Sequence, residues 1–149
     1  MKHSRLEVVC WSIAFPGFGQ LLNQQLLKGI FFILLEVVIN LYSSFNMAIL
    51  FSFRGEIAQS IEAADYQWLM FYPCVYMFAV WDAYKNADDE VPRLSFLPFF
   101  CSALTVTIGL IYSADNVFGF LIGPIWLPIL CVIPGTALGL LLRSILLRI

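Results

Sequence analysis

The apolar residues of this chain occur in long uninterrupted blocks rather than at every third or fourth position. A helix that crosses a bilayer needs about 20 largely apolar residues. Four blocks meet this requirement, at residues 29–53, 66–83, 94–113 and 117–142. Polar connections separate them, at residues 54–65, 84–93 and 114–116. The pattern predicts an all-α integral membrane protein with about four transmembrane helices.

The segment that precedes these blocks, residues 1–28, allows two interpretations. Its apolar part, residues 6–15, is too short to span a bilayer and ends at a Pro-Gly break. Extended to residue 27 it is long enough, but its second half then contains several amide side chains. No small-residue cleavage site follows the apolar part, so we expect the segment to remain in the mature protein. It either spans the membrane or forms a re-entrant or interfacial helix.

The basic residues favour the second interpretation, because cytoplasmic loops collect Lys and Arg. If residues 1–28 span the membrane, the basic residues are divided between its two sides. If they form a re-entrant or interfacial helix, one side holds Lys2, Arg5, Lys28, Lys85, Arg93, Arg143 and Arg148. Arg54 alone is then left on the other side, in a loop that also holds Glu56, Glu62 and Asp65. The charges therefore predict a multi-pass protein of the bacterial cell membrane with both termini in the cytoplasm.

Composition agrees with a membrane location and excludes one class of partner. Of the 149 residues, 61% are hydrophobic and only 12% are charged, whereas soluble domains carry about 25% charged residues. The apolar blocks leave no room for a large extramembrane domain, so we expect one membrane domain over residues 1–149, in contact with membrane lipids. The net charge of -2 argues against a nucleic-acid partner, which would require a basic patch.

The residues that usually carry catalysis or bind metals are sparse. The four cysteines, Cys10, Cys74, Cys101 and Cys131, are isolated in apolar sequence, and the single histidine is His3. This pattern predicts no metal site and no cofactor. The chain also lacks a Ser-His-acid set, an HExxH motif and a P-loop, so we expect no enzymatic activity.

Glu36 stands out because it lies about 10 Å along the axis of the first predicted span. A carboxylate at such a depth costs about 2.5–3.5 kcal/mol to insert and normally faces protein or water. Asn40, Ser43 and Ser44 fall on the same side of an ideal helix, which predicts a polar stripe. The stripe either lines an ion or proton pathway or joins helices by hydrogen bonds. A pathway would require several copies of the chain or a partner.

Asp82 is the second acidic residue of interest, at the inner end of the second predicted span. We expect it to form an interfacial ion pair with Lys28 or Lys85. The fourth predicted span carries residues that bend or closely pack helices. These are the prolines Pro124, Pro128 and Pro134, and two GxxxG spacings, Gly119 to Gly123 and Gly135 to Gly139.

The densest local pattern is Pro-Gly-Phe-Gly-Gln-Leu-Leu-Asn-Gln-Gln-Leu-Leu-Lys-Gly at residues 16–29. Its characteristic positions are Pro16, Gly17, Gly19, Gln20, Asn23, Lys28 and Gly29. Here the chain resembles bacterial membrane proteins that carry PGxGQ(L/I)xNxQxxKG, which include small multi-pass proteins and some sugar ABC-transporter permease subunits. It is also distantly similar to the TM2 domain, in which a Gly-rich polar turn joins two spans and an aspartate closes the second.

This resemblance covers residues 15–29 and makes Asp82 the counterpart of the TM2 aspartate. The His-Arg-Phe-Tyr core of TM2 and the coupling loop of a permease are absent. The resemblance therefore implies a bacterial membrane protein and no particular activity.

Three functional hypotheses fit these observations. The first is a non-enzymatic accessory or scaffold subunit that binds other membrane proteins, which fits a small chain with closely packing glycines. The second is a homo-oligomeric channel or transporter for ions, protons or small solutes that uses the Glu36 stripe. The third is a lipid-handling or membrane-remodelling role for the N-terminal segment.

Overall fold

The computed structural model describes residues 3–87 and 90–149, so Lys2 and Asp89 lie outside the described residues. Helices make up 74% of this part of the chain, and the prediction of an all-α architecture is confirmed. The helices are α1 (Arg5–Ala14), α2 (Phe18–Leu22), α3 (Leu26–Ser43), α4 (Phe45–Phe53), α5 (Ile57–Ala63), α6 (Tyr66–Leu69), α7 (Tyr72–Asn86), α8 (Leu97–Ile111) and α9 (Gly123–Leu146). Two short strands, β1 (Asn116–Val117) and β2 (Phe120–Leu121), form an antiparallel ladder.

The helices form a bundle with two distinct ends. At one end Lys28 Nζ lies 3.0 Å from Asp82 Oδ1, and we call this the Asp82 end. At the other, the backbone N–H of Asp65 donates to the carbonyl of Ser43 at 3.0 Å, and we call this the Asp65 end. Helix α3 runs from the first end to the second and α7 runs back, so the two helices are antiparallel.

The N-terminal segment folds as a helical hairpin that enters and leaves the bundle at the Asp82 end. Helix α1 lies along α7, with Val8 packed against Ala83 and the Tyr76 hydroxyl donating to the Ile13 carbonyl at 2.6 Å. The chain then reverses and α2 returns, so that the Asn23 side chain donates to the Ala83 carbonyl at 2.8 Å. The segment therefore enters and leaves at the same end of the bundle.

The first predicted span, residues 29–53, is not one continuous helix. Helix α3 ends at Ser43, because Ser44 adopts a left-handed conformation with φ of 55°. Helices α4 and α5 then form a second hairpin, held by the Ser52 and Ser60 hydroxyls at 2.8 Å. The hairpin brings the chain back to Asp65, beside the end of α3. Residues 45–53 are apolar, but they cap the Asp65 end instead of extending α3.

The second and third predicted spans correspond to shorter helices than expected. In the second, residues 66–83, a turn separates α6 from α7, and Pro73 occupies the first turn of α7. This is a favourable place for proline, whose missing N–H has no helical partner there. Helix α7 continues to Asn86. The third, residues 94–113, contains α8, which begins at Leu97 with Pro98 in its first turn.

The fourth predicted span, residues 117–142, begins with a β-hairpin rather than a helix. The hairpin turn places Phe118 and Gly119 at φ of 52° and 85°, which are the conformations of a tight two-residue turn. Helix α9 starts at Gly123 and continues to Leu146. The helix continues through Pro128 and Pro134 without interruption.

Two of the four glycines predicted to pack helices join α8 to α9. A Cβ on Gly135 would lie 2.6 Å from the Cα of Ser102, and one on Gly139 would lie 2.5 Å from the carbonyl oxygen of Leu97. Gly123 closely approaches Ile57 of α5. The prediction is wrong for Gly119, which lies in the β-turn, where an added Cβ would have no neighbouring atom within 4 Å.

The apolar faces of the longest helices are turned outward. Helices α3 and α9 are the two in the described part of the chain that are long and apolar enough to cross a membrane. Only 28% and 22% of their most apolar windows are buried inside the bundle. Large side chains such as Leu41 and Ile133 are 73% and 70% exposed. Some large apolar side chains, such as Phe32, Ile39 and Leu110, fill the interior of the bundle, and many others face its surroundings.

Candidate functional site

A buried polar network at the Asp82 end joins the N-terminal hairpin, α3 and α7. Asp82 is 6% exposed. One carboxylate oxygen, Oδ1, lies 3.0 Å from Lys28 Nζ and accepts a hydrogen bond from Asn86 Nδ2 at 3.1 Å. The other, Oδ2, accepts from Gln20 Nε2 at 3.2 Å. The same Gln20 nitrogen donates to the Ala79 carbonyl at 2.7 Å. Both oxygens of the buried carboxylate are therefore satisfied by donors.

The glycines of the 16–29 motif allow the hairpin to reach this position. Gly17 has a φ of 104°, a conformation that favours glycine. A Cβ at Gly17 would lie 2.6 Å from the Gly29 carbonyl oxygen, and one at Gly19 would lie 2.8 Å from the Ala83 Cβ. Pro16 is fully buried at the reversal. The small residues thus bring α2 against both α3 and α7, which places the Gln20 amide beside Asp82.

Lys85 is the other basic residue expected to pair with Asp82, and the structure places it elsewhere. Its Nζ lies 5.0 Å from the centre of the Trp81 ring, in a cation–π contact. Within the described residues, Asp82 has one ion-pair partner, Lys28. The sequence left Lys28 and Lys85 open as partners of Asp82. The structure pairs Asp82 with Lys28, which belongs to the 16–29 motif.

Sequence reasoning missed two parts of this network. It included Gln20 as a motif residue without assigning it a partner, and it did not single out Asn86. Asn86 lies four residues after Asp82 on α7, a spacing at which helical side chains meet. The spacing could therefore have indicated Asn86 as a partner of Asp82. The contact between Gln20 and Asp82 joins residues that are 62 positions apart, and no local pattern reports it.

Glu36 lies in the interior of the bundle, far from the Asp82 network. It is 5% exposed, and it is eight residues beyond Lys28 on α3, or about 12 Å along the axis. The Tyr72 side chain of α7 lies beside the carboxyl. The second oxygen, Oε2, is buried and has no partner among the described residues. Glu36 and Asp82 therefore do not form a pair of acidic groups that could act together on a substrate.

The rest of the predicted polar stripe separates into buried and partly exposed residues. Ser43 is fully buried, and its hydroxyl has no partner among the described residues. Asn40 is half-buried and donates to the side chain of Asn46 at 3.0 Å. Ser44 forms the left-handed end of α3 and is half-buried. The four residues thus do not form one continuous polar surface.

A cavity of about 280 Å³ lies in the half of the bundle nearest the Asp65 end. Its wall includes Tyr72 and Tyr76, the two tyrosines of α7 that interact with Glu36. The remaining wall is apolar and comes from α1, α4, α6, α7, α8 and α9, with Leu69 as the contribution of α6. The residues of the described chain that line the cavity carry no charge.

Among residues 3–87 and 90–149, no three His, Cys, Asp or Glu side chains lie together as a metal site would require. The Asp82 carboxylate is occupied by its donors, and the Glu36 carboxyl faces tyrosines and apolar groups. Comparisons of the chain with protein-family models, curated proteins and solved structures find no match in any of the three.

Proposed function

We propose that this chain is a multi-pass membrane protein of the bacterial cell membrane and acts as a non-enzymatic accessory subunit that binds other membrane proteins. The observation that carries the proposal is the outward-facing apolar surface of α3 and α9. Less than a third of each apolar window is buried within the bundle. The remaining surface is available to lipid and to the helices of a partner.

The membrane location is supported by the size of this exposed apolar surface. Monomeric soluble proteins rarely expose contiguous apolar patches larger than a few hundred Å². Here exposed apolar side chains run along α3 and along α9 from Ile129 onward, as Leu27, Leu34, Ile133 and Leu141 illustrate. We infer four crossings, by α3, α7, α8 and α9, with the N-terminal hairpin entering from one side.

The orientation is supported by the distribution of charge between the two ends. Arg143 Nε donates to the Arg93 carbonyl at 3.0 Å, which brings both arginines to one end of α8 and α9. Arg5, Lys28 and Lys85 belong to the same end through their contacts with α7 and its neighbours. Since positive residues collect on the cytoplasmic side, we infer that the Asp82 end and both termini are cytoplasmic.

An accessory role is supported by the location of the polar side chains, which form contacts between helices inside the bundle. In the Asp82 network both carboxylate oxygens have donors within the protein, and the Ser102 and Thr136 hydroxyls meet at 2.9 Å between α8 and α9. Such contacts hold helices together. The polar groups thus stabilise the subunit, whereas its outward surface is apolar and suited to partner helices.

The test is the purification of the tagged protein from its native membrane in a mild detergent, with the mass of the complex recorded. We expect a second membrane protein in a fixed ratio. Two surface variants, Leu34→Trp on α3 and Ile133→Trp on α9, identify the binding face, because only the one in the interface should release the partner. Recovery of the chain as a monomer, with no partner in any mild detergent, would contradict the proposal.

A second candidate function is a homo-oligomeric channel or transporter, and the unpartnered Oε2 of Glu36 favours it. In this case the purified complex contains only copies of the chain. Glu36→Gln then changes ion flux into vesicles, or the pH dependence of that flux, while the fold survives. An accessory subunit instead gives no flux that depends on Glu36.

Topology is tested with a thiol reagent that does not cross membranes. Cys10, Cys74, Cys101 and Cys131 are first replaced, and single cysteines are then introduced at Asp89 and at Glu62. In intact cells we expect labelling at position 62 and none at position 89. Labelling at position 89 would reverse the proposed orientation.

A further inference from the structure

The position of the 280 Å³ cavity follows from the shortness of α1. Helix α1 has 10 residues, or about 15 Å of length, roughly half the thickness of a bilayer's hydrocarbon core. It lies against α7 from Ala83 to the level of Tyr76 and then turns back. Beyond this level no segment of the hairpin covers α7, and the cavity begins there, with Ile13 in its wall.

The remaining wall lies beyond the tip of the hairpin. Val106 and Leu110 come from the half of α8 nearest the Asp65 end, and Pro124 and Val132 come from the corresponding half of α9. The cavity therefore occupies the place that a full-length N-terminal helix would fill. It is a consequence of the re-entrant fold.

The chemistry of the cavity selects an apolar occupant. The Tyr76 hydroxyl is engaged by the Ile13 carbonyl, and the Tyr72 hydroxyl is directed to Glu36. These tyrosines therefore present mainly their rings to the cavity. Protein interiors contain few voids larger than a water molecule, and apolar cavities of about 150 Å³ remain dry and bind molecules such as benzene. The cavity of this protein is nearly twice that size, so it is suited to an apolar ligand.

The cavity is also continuous with the apolar outer surface. Ile13 and Ile129 belong to its wall and are 54% and 51% exposed. Its mouth therefore lies between the tip of the hairpin and α9, on a surface that faces lipid in the proposed orientation. An apolar hydrocarbon chain could therefore enter the cavity from the lipid side, and no charged group would have to enter with it.

We propose that this cavity binds one acyl chain of a phospholipid from the leaflet at the Asp65 end. The inference rests on the proposed membrane location and does not depend on a protein partner. The lipid headgroup stays at the membrane surface, and the chain takes the place of the missing half of the N-terminal helix. The chain thereby supports the tip of the hairpin against α7, α8 and α9.

The experiment uses the full chain in phosphatidylcholine vesicles that contain phosphatidylcholine with a photoactivatable diazirine near the end of one acyl chain. After irradiation, mass spectrometry of the digested protein locates the labelled residues. We expect labelling to be enriched at Leu69, Val106 and Val132 relative to the exposed residues Leu34 and Ile133. Labelling of the cavity residues should also saturate at a lower ratio of photoactivatable lipid to protein than labelling of the exposed residues.

A pair of variants on α8 tests occupancy. Val106→Phe places a ring inside the cavity, and we expect it to reduce labelling there by about fivefold, because the ring takes up volume that the acyl chain needs. Ile108→Phe is the matched control, since Ile108 is 53% exposed and lies outside the cavity wall. If Val106→Phe fails to fold, Val132→Phe fills the cavity from α9.

Equal labelling of the cavity and the exposed faces would overturn the inference, as would the same result for Val106→Phe and Ile108→Phe. Failure of the membrane location gives a different outcome. In that case Leu34 and Ile133 are not labelled either. Enrichment in the wild type that the filled variant removes establishes the site.

Discussion

Asp82 is the residue at which polar side chains from three elements meet. Its donors come from three elements, Gln20 from α2, Lys28 from α3 and Asn86 from α7. A buried carboxylate is tolerated when its oxygens are hydrogen bonded. The network therefore both stabilises the charge and fixes the position of the hairpin.

Asp82→Asn and Asp82→Leu should differ in their effects on stability. Asparagine keeps one acceptor oxygen and should cost about 1 kcal/mol, whereas leucine leaves the Gln20 and Asn86 donors without the carboxylate and should cost about 2–3 kcal/mol. Lys28 contributes less to this cost, because its side chain is 51% exposed and can be solvated. Thermal unfolding of the purified variants measures the difference. Glu62→Gln, at an exposed position, is the control and should change stability by less than about 0.5 kcal/mol.

At the residue scale, the sequence identified the acidic side chains of interest but not all of their surroundings. Intramembrane charge is conspicuous, so Glu36 and Asp82 could be selected from hydropathy alone. Lys28 could be selected as a partner because it lies at the same predicted membrane level. The Gln20 contact could not be predicted, because it depends on the hairpin folding back to meet α7. The division of the stripe into buried Ser43 and half-buried Asn40 likewise depends on the break at Ser44.

At the scale of elements, one side-chain hydrogen bond holds the tip of the hairpin within the described residues. The last carbonyls of a helix lack helical partners, and the Tyr76 hydroxyl donates to one of them, that of Ile13. Tyr76→Phe should leave this carbonyl without a donor, at a cost of about 1–3 kcal/mol. We expect faster amide hydrogen exchange in α1 and unchanged exchange in α9. Tyr112→Phe, at an exposed position, is the control, and equal exchange in α1 for both variants would contradict the role of the bond.

The contact between α8 and α9 depends on glycine rather than on large side chains. A Cβ at Gly139 would lie 2.5 Å from the Leu97 carbonyl oxygen, on backbone that cannot move without separating the helices. Gly139→Ala should therefore destabilise the protein by about 1–3 kcal/mol. Gly119→Asn serves as the control, since Gly119 has open space around it and asparagine tolerates its φ of 85°. A Gly139→Ala variant as stable as this control would show that the helices can readily separate.

The elements also show which structural features hydropathy can and cannot predict. Long apolar segments indicated where α3, α7, α8 and α9 lie, and proline positions agree with the starts of α7 and α8. Hydropathy reports the preference of a segment for an apolar environment and not its direction. Residues 45–53 are as apolar as a span, yet the chain turns at Ser44. The β-hairpin was missed because Phe118 is an unusual residue for a left-handed turn position.

At the scale of the whole molecule, the two ends of the bundle differ in charge and in architecture. The distribution of Lys and Arg predicted that both termini lie on one side, and the contacts of Arg5 and Arg143 bring the described terminal segments to the same end. The cap formed by α4 and α5 at the Asp65 end was not predicted. It fills a space beside α9, where the Trp126 indole donates to the Ser52 carbonyl at 3.1 Å. That contact joins residues 74 positions apart and follows from the tertiary fold alone.

The unequal lengths of the four proposed crossing helices predict a preference for thin bilayers. Helices α7 and α8 have 15 residues each, or about 22 Å, whereas α3 and α9 have 18 and 24, or about 27 and 36 Å. A long helix adapts to a thin bilayer by tilting, but a short one must thin a thick bilayer around it. We therefore expect the unfolding temperature in phosphatidylcholine nanodiscs to fall as acyl chains lengthen from about 14 to 20 carbons. An unfolding temperature that rises over this series would mean that α7 and α8 do not set the hydrophobic thickness of the protein. Additional residues at the ends of these two helices would then have to lie in the hydrocarbon core.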